Sequence, residues 1–231
     1  MVSVTGTLIS HMFIANELNN AVTRVGSVWE WYVIRAAGFT AAALLILLML
    51  SGIGQVTGYT YRFLEPIKAW AVHKAMALAL CAAILIHVTF LLLDHYIPFS
   101  IPDVLIPFIS HYTNHSSLFG IGLASISVAS GILAAYSIVI IVLSSLYWKE
   151  TKRKTWRWLH YLSYFVILAI FIHALGTGSD LRYGLFRMIW TLIFFLLLIA
   201  VLYRLWHVGT LRMQKHTPSA VEDKEEIKNH N

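Results

Sequence analysis

The chain has 231 residues, 58% of them hydrophobic and 12% charged, with a mean hydropathy of +0.71. Soluble domains carry roughly a quarter charged residues, so this composition describes an integral membrane protein. The formal charge of +6 does not point to nucleic acid, because the basic residues flank apolar runs and gather into no basic face of their own.

Residues 1–28 have neither a basic start nor a clean cleavage site, and their apolar stretch is broken by polar side chains. They predict an interfacial segment rather than a signal peptide. Five apolar runs then exceed the roughly 18 residues needed to cross a bilayer, centred on 32–53, 69–93, 118–147, 158–175 and 185–206. The expected fold is therefore all-α and integral to the membrane, one bundle of five main transmembrane helices over residues 29–208. Residues 209–231 turn polar, with the run VEDKEEIK, and predict a cytoplasmic tail without a core of its own.

Five spans place the 55–70 loop, the 149–157 loop and the tail on one side. Of the 17 Lys and Arg, only Arg24, Arg35, Arg182 and Arg187 fall on the other. The richer side is cytoplasmic by the positive-inside rule, which puts the N-terminus outside and the C-terminus inside. Cys81 is the single cysteine, placed mid-span. It excludes a disulfide framework, an iron–sulfur ligand set and a C-x-x-C-H attachment site, so any haem is bound non-covalently. No internal sequence repeat is evident.

Four histidines carry the chemistry. His73 and His87 lie 14 residues apart on the second span, and His160 and His173 lie 13 apart on the fourth. Ionisable or ligating side chains at membrane depth are costly and mark function. Both spans run outward, so His73 and His160 share the inner level and His87 and His173 the outer, about 21 Å away at 1.5 Å per residue. A histidine from each of two facing helices fills both axial positions of a haem iron, which favours electron transfer over oxygen activation. The expected metal ligands are His73 and His160 for an inner haem iron, and His87 and His173 for an outer one. Other readings of the same four are hydrogen-bonded polar links between helices or the lining of a proton path. The 13-residue spacing is awkward, since it turns the helix to a point about 140° from where it began. A bend, a local π-bulge or oppositely directed imidazoles would each accommodate it.

The segments WYVIRAAG at 31–38, HKAMALALCAAILIHVTFLLLDHYIPF at 73–99 and WRWLHYLSYFVILAIFIHALGTGSD at 156–180 resemble the bacterial ferric-reductase-like transmembrane proteins. That family is related to the membrane domains of ferric reductases and NADPH oxidases. The resemblance covers roughly residues 31–187. It implies a dihaem b-type helical bundle with the same 14-and-13 spacing, in which His73, His87, His160 and His173 ligate two haem b groups. It also implies an oxidoreductase component and a place in the cell membrane as a multi-pass protein. Unlike the large reductases, this sequence has no flavin- or nicotinamide-binding motif. Gly52, Gly54 and Gly58 have the spacing GxGxxxG, follow no strand and end a span, so they are no dinucleotide fingerprint. Electrons must then come from a flavoprotein partner or a membrane quinol, because haem alone accepts no hydride.

Arg35, inside the outer part of the first span, needs an anionic or carbonyl partner. An outer-haem propionate would serve, and so would snorkelling beside Trp29 and Trp31. The inner cluster Lys149, Lys152, Arg153, Lys154 and Arg157 suits an acidic electron donor, inner-haem propionates or anionic lipid. The outer loop brings Asp94, His95, Asp103, His111 and His115 without a basic residue, a set fit for a ferric ion or for simple solvation. The leading expectation is a transmembrane carrier of single electrons from a cytoplasmic flavoprotein-type donor to an outside acceptor. Its rivals are a quinone-linked cytochrome b subunit of a larger complex and a haem-free proton or metal transporter.

Overall fold

The computed structural model describes residues 16–18, 29–95, 99–110, 112, 117–118, 121–122 and 124–216. Its long helices are α1 (Trp29–Thr57), α2 (Pro66–Leu93), α4 (Ala124–Tyr147), the consecutive pair α5 (Arg153–His160) and α6 (Leu162–Thr177), and α7 (Leu185–His216). A single turn, α3 (Ile101–Leu105), and the two-residue antiparallel strands β1 (Ser117–Leu118) and β2 (Ile121–Gly122) lie between α2 and α4. Among the described residues, five helical stretches are long and apolar enough to cross a membrane, α5 and α6 together making the fourth. This is a multi-pass membrane protein, helical apart from that small hairpin.

Helix ends follow local chemistry. Gly58 takes φ +80° just past α1, the left-handed conformation that closes a helix at little cost for glycine. Pro66 opens α2, where a missing N–H costs nothing. The third span begins at Ala124 rather than near 118, after the strands that pair Ser117 with Gly122 and Leu118 with Ile121. At the other end α7 continues to His216, into the stretch expected to belong to the polar tail; Arg212, Gln214 and Lys215 are good helix formers. Apart from residues 16–18, the expected interfacial segment lies outside the described residues, as does the tail beyond 216.

In lipid the hydrophobic effect does not drive helices together, and close packing of small side chains takes its place. Here α4 is the most enclosed of the spans, with Ser127 and Ala134 at 0% exposure. Leu45 of α1, Leu80 of α2, Ala134 and Ile138 of α4, and Val166 and Ala169 of α6 meet in one central cluster. By contrast α7 turns Leu192, Leu196 and Ile199 outward, the exposure expected of a lipid-facing helix. Buried Ser137 and Ser144 cost little, because each hydroxyl donates to a carbonyl of the preceding turn, Leu133 and Ile141 respectively.

The long helices form two antiparallel hairpins, α1–α2 and α4–α5/α6, running in the same sense. One end of the bundle gathers the short connections. There Lys149 Nζ sits 4.4 Å from the Trp70 ring centre and Lys74 Nζ 5.5 Å from the same ring, bringing the start of α2 beside the end of α4. The opposite end carries the long 94–123 connection. Because Ala134 has no free space around it, Ala134→Leu should overpack the meeting point of four helices and destabilise the fold by about 1–3 kcal/mol. Thermal unfolding in detergent checks this, with lipid-facing Leu196→Val expected to leave the melting temperature unchanged.

Candidate functional site

The helix directions bring the histidines into two tiers. At the long-loop end, named the outer tier after its expected position, the rings of His87 (α2) and His173 (α6) lie edge-on with centroids 6.4 Å apart and planes at 83°. At the short-connection end stand His73, near the start of α2, and His160, at the end of α5. All four are half-buried.

Each outer-tier ring is held from behind by the neighbouring helix of its own hairpin. His87 Nδ1 lies 2.9 Å from the Ile34 carbonyl of α1, and His173 Nδ1 lies 2.9 Å from the Ser127 carbonyl of α4. A carbonyl can only accept, so both Nδ1 atoms carry the proton and both Nε2 atoms keep their lone pair. That is the tautomer a metal needs.

These carbonyls are inside helices, where the side chain four residues on leans back over them. Both times that residue is glycine. A Cβ on Gly38 would stand 3.3 Å from His87 Cε1, and one on Gly131 would stand 2.4 Å from His173 Nδ1. At Gly131 the missing methyl group is what lets the imidazole reach the backbone, and at Gly38 it spares the ring a tight contact.

The inner tier differs. His73 Nδ1 is paired with Ser51 Oγ of α1 at 3.2 Å, and Gly52 beside it leaves ordinary contact space, 3.7 Å from a built Cβ to His73 Cε1. His160 Nδ1 is buried without a partner, while its ring lies 5.4 Å from that of Trp156 one turn earlier.

The awkward 13-residue spacing coincides with a break in the fourth span. Between α5 and α6, the Tyr161 N–H is shared between Arg157 and Trp158 carbonyls at 3.3 and 3.2 Å, and the Tyr164 N–H reaches back only three residues to Tyr161 at 3.1 Å. This is 3₁₀-like tightening, with three residues per turn instead of 3.6. Each tightened residue adds about 20° of rotation, so three of them recover on the order of 60° of the misalignment. This local tightening of pitch was not among the accommodations expected from the sequence.

Arg35 finds an anion in the protein itself. Its Nη2 donates to Asp180 in the turn after α6, and its guanidinium lies 4.1 Å from the centre of Trp31, while Nε has no partner. In the outer loop, His111 and His115 lie outside the described residues, and Asp103 caps α3 through Ser100. Among the described residues no three His, Cys, Asp or Glu side chains gather as a metal site. The histidines come in twos, the number a haem iron accepts axially. Of the basic cluster, Lys149 and Lys152 rest on Trp70 and Trp148, an arrangement typical of the interfacial belt.

The matched family model, described as ferric reductase like transmembrane component, covers residues 37–171, well over half of the chain. The protein belongs to this family. The matched stretch includes His73, His87 and His160 and stops two residues short of His173, which the geometry adds. No curated protein and no solved structure matches the chain. Domains of the ferric reductase type generally bind haem, and the imidazoles of His87 and His173, 6.4 Å apart between ring centres, are donors of a kind such a group accepts.

Sequence reasoning missed the backbone carbonyls, the two cradling glycines and Ser51. A signal was present. The pattern A-x-G-x-x-A-A-x7-L-S occurs at 36–51 and again at 129–144, a constant offset of 93 residues, and it marks the glycine and serine positions on both supporting helices. The ion pair yields a separate expectation. Asp180→Asn leaves the Arg35 guanidinium without its counter-charge and should destabilise the protein by about 1–2 kcal/mol, less than a fully buried pair would because both groups are partly exposed. Arg35→Met combined with Asp180→Leu should recover most of that loss in detergent melting curves.

Proposed function

We propose that this protein is a dihaem b-type electron-transfer component that moves single electrons across the membrane. On this reading a cytoplasmic flavoprotein-type donor delivers to the His73/His160 tier, and an acceptor outside receives from the His87/His173 tier. The observation that carries the reading is the outer pair. Two imidazoles on different helices stand with 6.4 Å between ring centres, and each gives its Nδ1 to a backbone carbonyl, which leaves its Nε2 free. Two metal–nitrogen bonds of about 2 Å, plus roughly 1 Å from each nitrogen to its ring centre, require on the order of 6 Å. Haem bound at each tier would supply a reversible one-electron iron couple, which is the chemistry that neither the histidines nor the apolar helices have by themselves.

The chain's own groups do the rest. The Ile34 and Ser127 carbonyls fix ring orientation and raise the basicity of the opposite nitrogen. Bis-histidine ligation leaves no position for a small ligand, which keeps the site to electron transfer. Leu45, Leu80, Ile138 and Val166 fill the bundle between tiers and exclude water from that space. Arg35, paired with Asp180 but with a free Nε, is proposed to lend one donor to a propionate at the outer tier. The basic end, with Lys149, Lys152, Arg153, Lys154 and Arg157, faces the cytoplasm by the positive-inside rule. It is the surface proposed to meet the acidic donor.

The deciding experiment counts haem in purified protein by the pyridine haemochrome assay. Two b haems per chain are expected in the wild type, and His87→Leu or His173→Leu should each leave one. An unchanged count in either variant would overturn the ligand assignment, and a colourless wild-type protein would favour a haem-free transporter. Reduction by a quinol analogue but by no flavoprotein would replace the proposed donor with quinol.

Glycine variants test the cradle independently. Gly131→Ala should displace His173 and cost the outer haem, whereas Gly52→Ala should retain both haems, because the contact there is relaxed. Absorption spectra of the two variants, normalised to protein, give the comparison.

A further inference from the structure

The two hairpins repeat one another in their supporting groups as well as in their histidines. Ile34 and Ser127 each present a carbonyl to a histidine at 2.9 Å, Gly38 and Gly131 each leave room for that ring, and the members of each pair are 93 residues apart. Carried one step further, the same offset takes Ser51, the partner of His73, to Ser144. Ser144 is 4% exposed, a hydroxyl sealed inside a membrane helix. Its Oγ donates to the Ile141 carbonyl at 3.0 Å, which leaves its acceptor lone pairs unassigned.

Of the four tier histidines, His160 is the one whose Nδ1 has no partner, and it lies on the helix that packs beside this end of α4. Trp156 Nε1 donates to Ser145 Oγ at 3.0 Å, which fastens α5 to α4 at the residue next to Ser144. His160 is one helical turn beyond Trp156, on the same face, with a buried Nδ1 that has no acceptor. A buried N–H without an acceptor costs about 1–3 kcal/mol. An imidazole free to rotate or change tautomer is also a poor ligand.

We infer that Ser144 is the positioning residue of His160 once haem is bound: the ring, whose Nδ1 has no partner in this structure, turns so that Ser144 Oγ accepts the Nδ1–H, in the place Ser51 Oγ takes beside His73 Nδ1, and Nε2 points toward the inner tier. The hydroxyl keeps its own proton on Ile141, so one serine satisfies two buried groups at once. This makes the tiers chemically different. Imidazoles of the outer tier lean on backbone carbonyls, which are strong acceptors fixed by the helix, and those of the inner tier lean on hydroxyls, which are weaker and can rotate. The inference rests on the dihaem reading proposed above.

The test uses full-length protein carrying His87→Leu, which retains only the inner haem, so that one site is read without overlap. Into it are placed Ser144→Ala, Ser144→Thr and, as a control, Ser137→Ala, whose buried hydroxyl also donates back along α4. Haem transfer to apomyoglobin, the low-temperature electron paramagnetic resonance signal and the midpoint potential are measured on each. Ser144→Ala is expected to weaken haem retention on the order of tenfold, broaden or shift the low-spin signal and move the potential. Ser144→Thr should restore all three readouts, and Ser137→Ala should match the parent. A Ser144→Ala protein indistinguishable from its parent, or a change equalled by Ser137→Ala, would overturn the assignment. Failure of the dihaem reading is a separate result, since the wild-type protein itself would then lack haem.

Discussion

Everything in the bundle's centre depends on helix carbonyls accepting hydrogen bonds beyond the helix's own, the Ser127 oxygen taking Ser130 Oγ as well as His173 Nδ1. The Ile34 and Ser127 oxygens belong to the backbones of α1 and α4, yet each also lies 2.9 Å from an imidazole Nδ1 of the partner helix. In a bilayer interior, backbone groups have no water to turn to and helices use them up internally. A carbonyl with a second lone pair is one of the few acceptors that a membrane helix can offer sideways without a polar side chain. Gly131 makes the Ser127 oxygen reachable and Gly38 eases the approach to that of Ile34, and that pairing of carbonyl and glycine fixes how closely each hairpin packs.

The ion pair of Arg35 and Asp180 complements this arrangement at the bundle's end. It links the first span to the turn that follows the fourth, two elements brought together by the contacts of the outer histidine tier. The charge lies where the span meets the long loop. There, partial exposure of both groups lowers the cost of burying them below that of a fully enclosed pair. An arginine satisfied within the protein also has its orientation fixed before any ligand arrives, which is worth more for recognition than an unpaired, mobile cation.

Much of the fold was legible in the sequence because its dominant signals are one-dimensional. Apolar run length set the five spans, and the sense of travel of each span set which histidines share a level. The rest depended on three-dimensional proximity. The Ile34 carbonyl has no side-chain signature, and the anion for Arg35 lies 145 residues away. The interruption at Tyr161 has no proline or glycine to announce it, since hydrogen-bond sharing alone produces it. The repeated A-x-G-x-x-A-A-x7-L-S was readable but lies on the supporting helices, whereas attention falls first on the helices with histidines. Their different spacings, 14 and 13, conceal the duplication.

Two like hairpins joined by the 94–123 connection also have a kinetic meaning. Each hairpin supplies one imidazole to each tier, so either alone is half of a clamp, and two separate halves would have to find each other by lateral diffusion. Tethering them turns that encounter into an intramolecular step governed by effective concentration. Assembly of the clamp thereby becomes independent of how much of the protein the membrane contains.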